Sequence, residues 1–264
     1  MLIWVPVSPN KELGMQDDVV SKAGAERVLF ILATLAGLER PVTMHELVER
    51  TALPKSTLYR LLALLKKWGF VVDSGHTYAP GPMCLPLAWG FDRSSYLVQQ
   101  AHAEIVTLSR KSDESVGLLV AVNNQVVCLD MVESDQSLRC SFVKGRGLPL
   151  HRGASAKALL AFMGTAERRV ILDQLLADET LSSEGVDTLL AQLEVIRQQG
   201  YAMSDSEVDQ GVWGVSVPIF YQGMTASAVV TLMAPVARAT TQQHTFIDMT
   251  VHAASRISSR LQSL

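Results

Sequence analysis

The sequence predicts an α+β protein in two parts: three helices closed by a short hairpin, then a larger region built on a sheet flanked by helices. Three observations carry this. Between Val28 and Lys67 apolar residues recur at helical spacing, interrupted by capping and breaking residues. Between Phe70 and Tyr78 the apolar runs shorten and bracket a polar turn, as in a hairpin. From Val116 onward short apolar runs alternate with amphipathic stretches, the pattern of a layered α+β domain. At 264 residues the chain is long enough for two separate cores.

The elements of the front part follow in order. Val28, Ile31, Leu32 and Leu35 fall at i, i+3, i+4 and i+7 and form a helix face that ends near Gly37. Thr43 is a good N-cap with Glu46 three residues on, so a capping box opens the second helix. Leu53-Pro54 breaks the chain and puts Pro54 at the first turn of a third helix. On that helix Leu58, Leu61, Leu62 and Leu65 face a core, while Lys55, Ser56, Thr57, Tyr59 and Arg60 form the opposite side. The helix stops at Trp68-Gly69. Phe70-Val71-Val72 and Thr77-Tyr78, joined through Asp73-Ser74-Gly75-His76, then make the hairpin.

Three helices and such a hairpin make a winged helix-turn-helix, whose polar helix start enters a DNA major groove. Three packed helices with no DNA role are the alternative, and the capping box, the break and the hairpin together favour the winged form over it. Charge leans the same way. Residues 22–78 hold eight Lys and Arg against five Asp and Glu, whereas the remainder holds 15 against 21. A mildly basic front on an acidic remainder suits a nucleic-acid reader joined to something else, although differences this small also arise by chance.

The rest of the chain can be parsed as coarsely. Leu85 to Asp113 reads as one helical stretch whose stripe of Leu97, Val98, Ala101, Ile105 and Leu108 could link two domains or pair with a copy of itself. Val116–Val122, Gln125–Val132 and Leu138–Val143 read as strands, with Asn123-Asn124 as a turn. Helices are expected over 154–162, 166–176 and 186–199, and strands over 212–220 and 226–232. A closing helix over 240–261 should turn Ile247, Val251, Ala254, Ile257 and Leu261 inward.

Several classes are disfavoured. Cys84, Cys128 and Cys140 are scattered and never form a CxxC pair, which speaks against a zinc ribbon or a disulfide framework and for a reducing cytoplasm. No run of 18 apolar residues exists, so no membrane span is expected. The opening Met1-Leu2-Ile3-Trp4-Val5 lacks a basic flank and is a poor signal peptide; Met15 could equally be the natural start. GxSxG, HExxH and P-loop signatures are absent. An enzyme using Cys128 or Ser155 as nucleophile, His151 as base and Asp205 or Asp209 as orienter stands as the alternative to a regulator, but nothing in the spacing joins those residues.

Four blocks then carry a family resemblance. They are Glu26–Leu32 with Leu53–Leu62, Gly147–Ala161, Gly200-Tyr201-Ala202, and Gly211–Ile219. In this order and spacing the chain resembles the IclR family of bacterial transcription regulators from about residue 21 to the C-terminus. The resemblance implies a winged helix-turn-helix over 21–82 after a disordered extension (1–20), a linker helix over 83–100, and a GAF-like effector-binding and oligomerisation domain over 101–264. It implies a cytoplasmic homodimer or homotetramer that binds double-stranded operator DNA and a small carboxylate effector, with no cofactor, metal or catalysis. Repression of a catabolic operon is the expected role.

The same resemblance implies DNA contacts at Lys55, Ser56, Thr57, Tyr59 and Arg60. Thr43, at a helix start, and His76, in the wing with Ser74, should lie near the backbone. For the effector it implies Ala154 and Ser155 at the start of the helix after Leu150-His151. Opposite stand Ser204 or Asp205, Gly214, Thr231 and Met233, with Leu119 on a neighbouring strand. Two departures matter. Gly214 stands where many members have Cys, and Met233 where many have Ser. Losing two polar groups and gaining room disfavours the smallest keto acids and favours a larger, partly apolar acid.

Overall fold

The computed structural model describes residues 24–38, 40–122, 124–221 and 223–263. The expected N-terminal extension (1–20) and Asn123 of the predicted turn lie outside them. The chain divides into two compact units.

The first unit begins with α1 (Gly24–Ala36), which buries Ile31 and Leu35. β1 (Val42–Thr43) is a two-residue strand that the sequence reading missed; it pairs with β3. α2 (Met44–Thr51) opens on the predicted capping box. The Thr43 hydroxyl accepts from the Glu46 N–H at 3.3 Å, and the Glu46 carboxylate accepts from the Thr43 N–H at 2.8 Å. Ala52 ends it in the left-handed region at φ 53°, a conformation that costs a residue with a Cβ about 1 kcal/mol or more. α3 (Lys55–Lys67) follows Pro54, which sits one position earlier than expected: it is the N-cap, with extended ψ of 141°. Leu58, Leu61, Leu62 and Leu65 are buried against Ile31, Val42, Leu47 and Val71. β2 (Val71–Asp73) and β3 (Thr77–Pro80) form the wing, giving a sheet of order β1-β3-β2.

The expected single helix from Leu85 to Asp113 is two: α4 (Cys84–Ser94) and α5 (Tyr96–Ser112). Ser95 separates them. Its backbone is extended, and its hydroxyl caps α5 by accepting from the Val98 N–H at 3.4 Å. The stripe read as a linker or self-pairing face is spent inside the second unit, where Val98, Ala101, Ile105 and Leu108 are buried.

That second unit is a six-stranded antiparallel sheet of order β6-β5-β4-β9-β8-β7. Its strands are β4 (Ser115–Val122), β5 (Gln125–Val132), β6 (Gly147–Pro149), β7 (Ala202–Asp205), β8 (Val212–Phe220) and β9 (Ala226–Pro235). α5 and α9 (Val236–Gln262) pack on one face, burying Leu118, Val215, Phe246 and Ile257 together. α6 (Ala154–Phe162) lies on the other face, backed by α8 (Ser183–Gln199). α7 (Thr165–Ala177) comes between them in sequence. Two ion-pair clamps tie the elements: Glu104 of α5 accepts from Arg256 at 2.6 Å and from Arg260 of α9, and buried Glu114 takes both arms of Arg238.

Two further expectations fail here. Leu138–Val143 is not a strand, because 147–149 already occupies the edge of β5 with Gly147 opposite Val127. The intervening segment is held by side chains instead: the Ser134 hydroxyl donates to the Asp113 carbonyl at 2.7 Å, and Arg238 donates to the Leu138 carbonyl at 2.9 Å. On α9, Val251 is 38% exposed, and Phe246 and Thr250 fill the inward face in its place. Among the described residues no helix is long and apolar enough to cross a membrane.

Candidate functional site

The first unit presents the predicted polar face. Lys55, Ser56, Tyr59 and Arg60 are exposed on α3, Thr57 is half-buried, and the leucines of the opposite face anchor the helix. No side chain caps the start of α3, and its first turn holds no acid. The early backbone N–H groups and the positive end of the helix dipole therefore face solvent beside Lys55 and Arg60, a ready anion site. Tyr59 does not pack into the core. It is 52% exposed, and the Lys55 ammonium lies 5.9 Å from its ring centre, within cation–π range.

The wing is braced from α3. Lys66 reaches Asp73 at 2.6 Å and Asp73 accepts from the Gly75 N–H at 2.9 Å, which together hold the Asp73 carboxyl below the usual carboxylate range. His76 and Ser74 are exposed at its tip. Thr43 is less available than expected. Its N–H and hydroxyl both engage the Glu46 carboxylate, which also pairs with Arg40. Arg40, 61% exposed and paired with Glu46 at 2.5 Å, adds a cation at that corner and was not singled out from the sequence.

The second unit holds a cavity of about 700 Å³ between the sheet, the start of α6 and two loops, 133–146 and 206–211. It brings together Ala154, Ser155, Ser204, Gly214, Thr231 and Met233, as the sequence reading placed them. Two residues of that reading are elsewhere. Leu119 is buried outside the cavity wall, paired with Val229 and Cys128. Asp205 faces a smaller cleft with Met203 and Trp213, and accepts from the Ser206 hydroxyl at 2.8 Å. Strand alternation explains the second case: Ser204 borders both spaces, whereas the next residue, Asp205, reaches only the smaller one.

Ser155 and Thr231 meet a third hydroxyl, Ser216, in a closed buried triangle: 3.0 Å from Ser155 to Thr231, 2.7 Å from Thr231 to Ser216 and 3.3 Å from Ser216 to Ser155. Each hydroxyl can donate once within the ring, so what remains to offer a ligand is mainly acceptor capacity. Gly214 is open: a Cβ there would stand 3.6 Å from the Ser204 hydroxyl and 3.9 Å from the Ala154 Cβ, ordinary contacts.

The N-cap of α6 is Gly153, at φ 86°, where a Cβ would strike Val208 at 2.6 Å. Its N–H donates to the Glu207 carboxylate at 3.0 Å, and the other oxygen of Glu207 takes the buried Lys157 ammonium at 2.5 Å. Glu207 thus pins the 206–211 loop, whose Val208, Asp209, Gln210 and Gly211 line the cavity. Sequence reasoning missed this latch, and it missed Arg139, Arg146 and Arg152 in the wall. No periodicity marks loop residues that converge only after folding.

The nucleophile alternative finds no geometry. Burial, with Asp130 nearby, pushes the Cys128 thiol up to about 12, far from a thiolate at neutral pH. Ser155 bonds hydroxyls rather than a base, and burial together with the Arg152 charge lowers the pKa of His151.

Comparison with known proteins agrees on both units. The family profile for the IclR helix-turn-helix domain matches residues 24–74, and that for the bacterial transcriptional regulator IclR C-terminal matches residues 93–259. The chain is 29% identical over 255 residues to the HTH-type transcriptional regulator KdgR of Dickeya chrysanthemi, covering 95% of this chain and 83% of the relative. It is 26% identical over 243 residues to the transcriptional repressor IclR of Escherichia coli, covering 88% and 87%. An IclR homologue from Microbacterium hydrocarbonoxydans, solved in complex with 4-hydroxybenzoate, shares the fold with a TM-score of 0.72 at 21% identity, covering 92% of this chain and all of that one.

Proposed function

The chain belongs to the IclR family and is a DNA-binding transcription regulator, and from that premise we propose that it is a repressor of a catabolic operon released by a small carboxylic acid. The observation that carries this is the cavity. It lies in the unit that does not carry the basic helix, it has cationic groups and a helix start in its wall, and it is of a size that takes a small organic ligand. A relative named as a repressor and a fold relative that holds an aromatic carboxylate support the sign and the ligand class.

In this reading α3 enters the major groove. Ser56 and Thr57 allow close approach, Arg60 and Lys55 reach guanine or phosphate, and Tyr59 orients Lys55. His76 and Thr43 lie along the backbone, with Arg40. The effector sits among Ala154, Ser155, Ser204, Gly214, Thr231 and Met233. A homodimer or homotetramer is supported by α4, where Leu85, Leu87 and Trp89 are 53–63% exposed, more apolar surface on one helix than a monomer ordinarily leaves in water.

The test is fluorescence anisotropy of the full chain on labelled duplexes tiled across the DNA upstream of its own gene and the adjacent operon. One duplex should bind far more tightly than the rest, as a pseudo-palindrome, and a carboxylate that raises the melting temperature should release it. A carboxylate that stabilises the protein yet leaves the complex intact would overturn the repressor reading.

A further inference from the structure

Among the described residues, one strand of the sheet is absent from the cavity wall where its neighbours are present. β5 contributes Val126, and β9 contributes Thr231 and Met233, but β4, which lies between those two strands, contributes no residue. In register, Gly117 of β4 stands directly opposite Thr231 on one side and Met131 on the other, so the three share a face of the sheet. It is the face on which Thr231 meets Ser155 of α6.

The 133–146 loop supplies what covers that point. A Cβ on Gly117 would stand 3.3 Å from Cδ2 of the Phe142 ring, 3.2 Å from Leu119 Cδ1 and 3.4 Å from Met131 Sδ. Phe142 lines the cavity, whereas Gly117, Leu119 and Met131 do not. The ring therefore rests on bare glycine backbone and takes the place of β4 in the wall there. Contacts this close leave no slack, so a larger residue at 117 would lift the ring. Among the described residues Phe142 is also the one aromatic side chain in the lining. It rides on a segment otherwise turned outward: Leu138 is 67% exposed and Val143 53%. On the near side of the ring, Arg139 and Ser141 hold to the exposed Glu133 at 2.9 and 2.7 Å.

Resting on the effector reading above, we infer that Phe142 is a specificity-determining residue of that site: its ring is the surface against which the ligand's apolar body packs, and it sets how large that body can be. Behind the ring lie Leu119 and Met131, an apolar space that the ring now fills. The ring belongs to a loop, so a smaller side chain at this position would open that space without disturbing a strand or the helix start at Ala154.

The experiment is calorimetric titration of the full chain with benzoate and with biphenyl-4-carboxylate, for wild type, Phe142→Leu and Phe142→Ala. In Phe142→Ala the ratio of biphenyl-4-carboxylate to benzoate affinity should rise at least tenfold. The second ring of the larger acid gains the vacated space, while benzoate loses an apolar contact. Phe142→Leu should raise the ratio by about threefold, and it carries the test if the alanine variant does not fold. A loop that had merely loosened would weaken both acids alike. A ratio within twofold of wild type in Phe142→Leu and Phe142→Ala would therefore overturn the inference and leave a carboxylate effector standing. Phenol and 4-phenylphenol are titrated alongside. If they bind and the two acids do not, the carboxylate reading falls, and the same ratio taken on the phenols still decides the role of Phe142.

Discussion

Removing the charge of Glu207 isolates the latch that builds the cavity. Glu207→Gln keeps the size of the side chain and can still accept from the Gly153 N–H, but it leaves the Lys157 ammonium, with only 8% of its side chain exposed, facing a neutral amide. Breaking a buried ion pair from one side costs about 3–5 kcal/mol, because the remaining charge stays buried without a partner. Glu207 itself is 34% exposed, so water recovers part of that, and about 2–4 kcal/mol is expected. At roughly 2–4 °C per kcal/mol for a unit of this size, the melting transition of the second unit should fall by on the order of 10 °C. Calorimetry of the full chain reads this directly, and the 206–211 loop should also lose its hold on the cavity wall, weakening the effector. The double variant Glu207→Gln with Lys157→Met removes both charges and should recover at least half of the loss, since an apolar pair in place of a buried ion pair is close to neutral. A Glu207→Gln melting point within 1 °C of wild type, or a double variant worse than the single, would refute the latch.

Three further outcomes are expected. Ala52→Gly should stabilise the first unit by about 0.5–1 kcal/mol in urea denaturation, because glycine adopts φ 53° without a Cβ penalty; an unchanged or lower midpoint would deny strain at that turn. The Arg40 guanidinium and the Thr43 N–H hold the Glu46 carboxyl down at about 2, so the unfolded chain binds that proton first. The stability it adds is complete above the ordinary carboxylate range near 4.5 and drains away as pH falls toward 2, so the gap in melting temperature between wild type and Glu46→Gln should be constant above pH 5 and narrow below it. Lys55→Ala and Arg60→Ala should each weaken operator binding by about 1–3 kcal/mol, and whichever meets a phosphate should also lower the slope of log K against log salt by roughly 0.9.

What could be read in advance was whatever rests on local pattern. The capping box at Thr43 and Glu46, the leucine face of α3 and the turn of the wing are each fixed by residues a few positions apart, and they stand where spacing put them. The effector wall was legible in part. Ala154, Ser155 and Gly214 sit in blocks with a recognisable order, whereas Asp205 was misplaced by the two-residue alternation of its strand, and Leu119 lies on the cavity's face of the sheet but farther along it, beside Val229. The rest arises only in three dimensions. The 133–146 loop is held by Arg238, some hundred residues away, and Glu207 meets Lys157 across fifty. Leu138–Val143 has the composition of a strand, but the edge it would need is taken by Gly147–Pro149, a competition that no local window contains.

A ligand in the second unit and DNA on the first should be linked, and linkage is reciprocal. The most direct measurement is the affinity of one carboxylate ligand for the full chain, titrated calorimetrically with and without a saturating operator duplex, beside the affinity for that duplex with and without saturating ligand. The two ratios should agree, with operator weakening the ligand by the same factor as ligand weakens the operator, at five-fold or more. Gly214→Phe, whose ring enters the cavity beside Ser204 and Ala154, should abolish ligand binding and leave operator affinity within about twofold of wild type. Ligand affinity that is the same with and without operator would show that the two sites are not coupled and that the ligand does not regulate DNA binding.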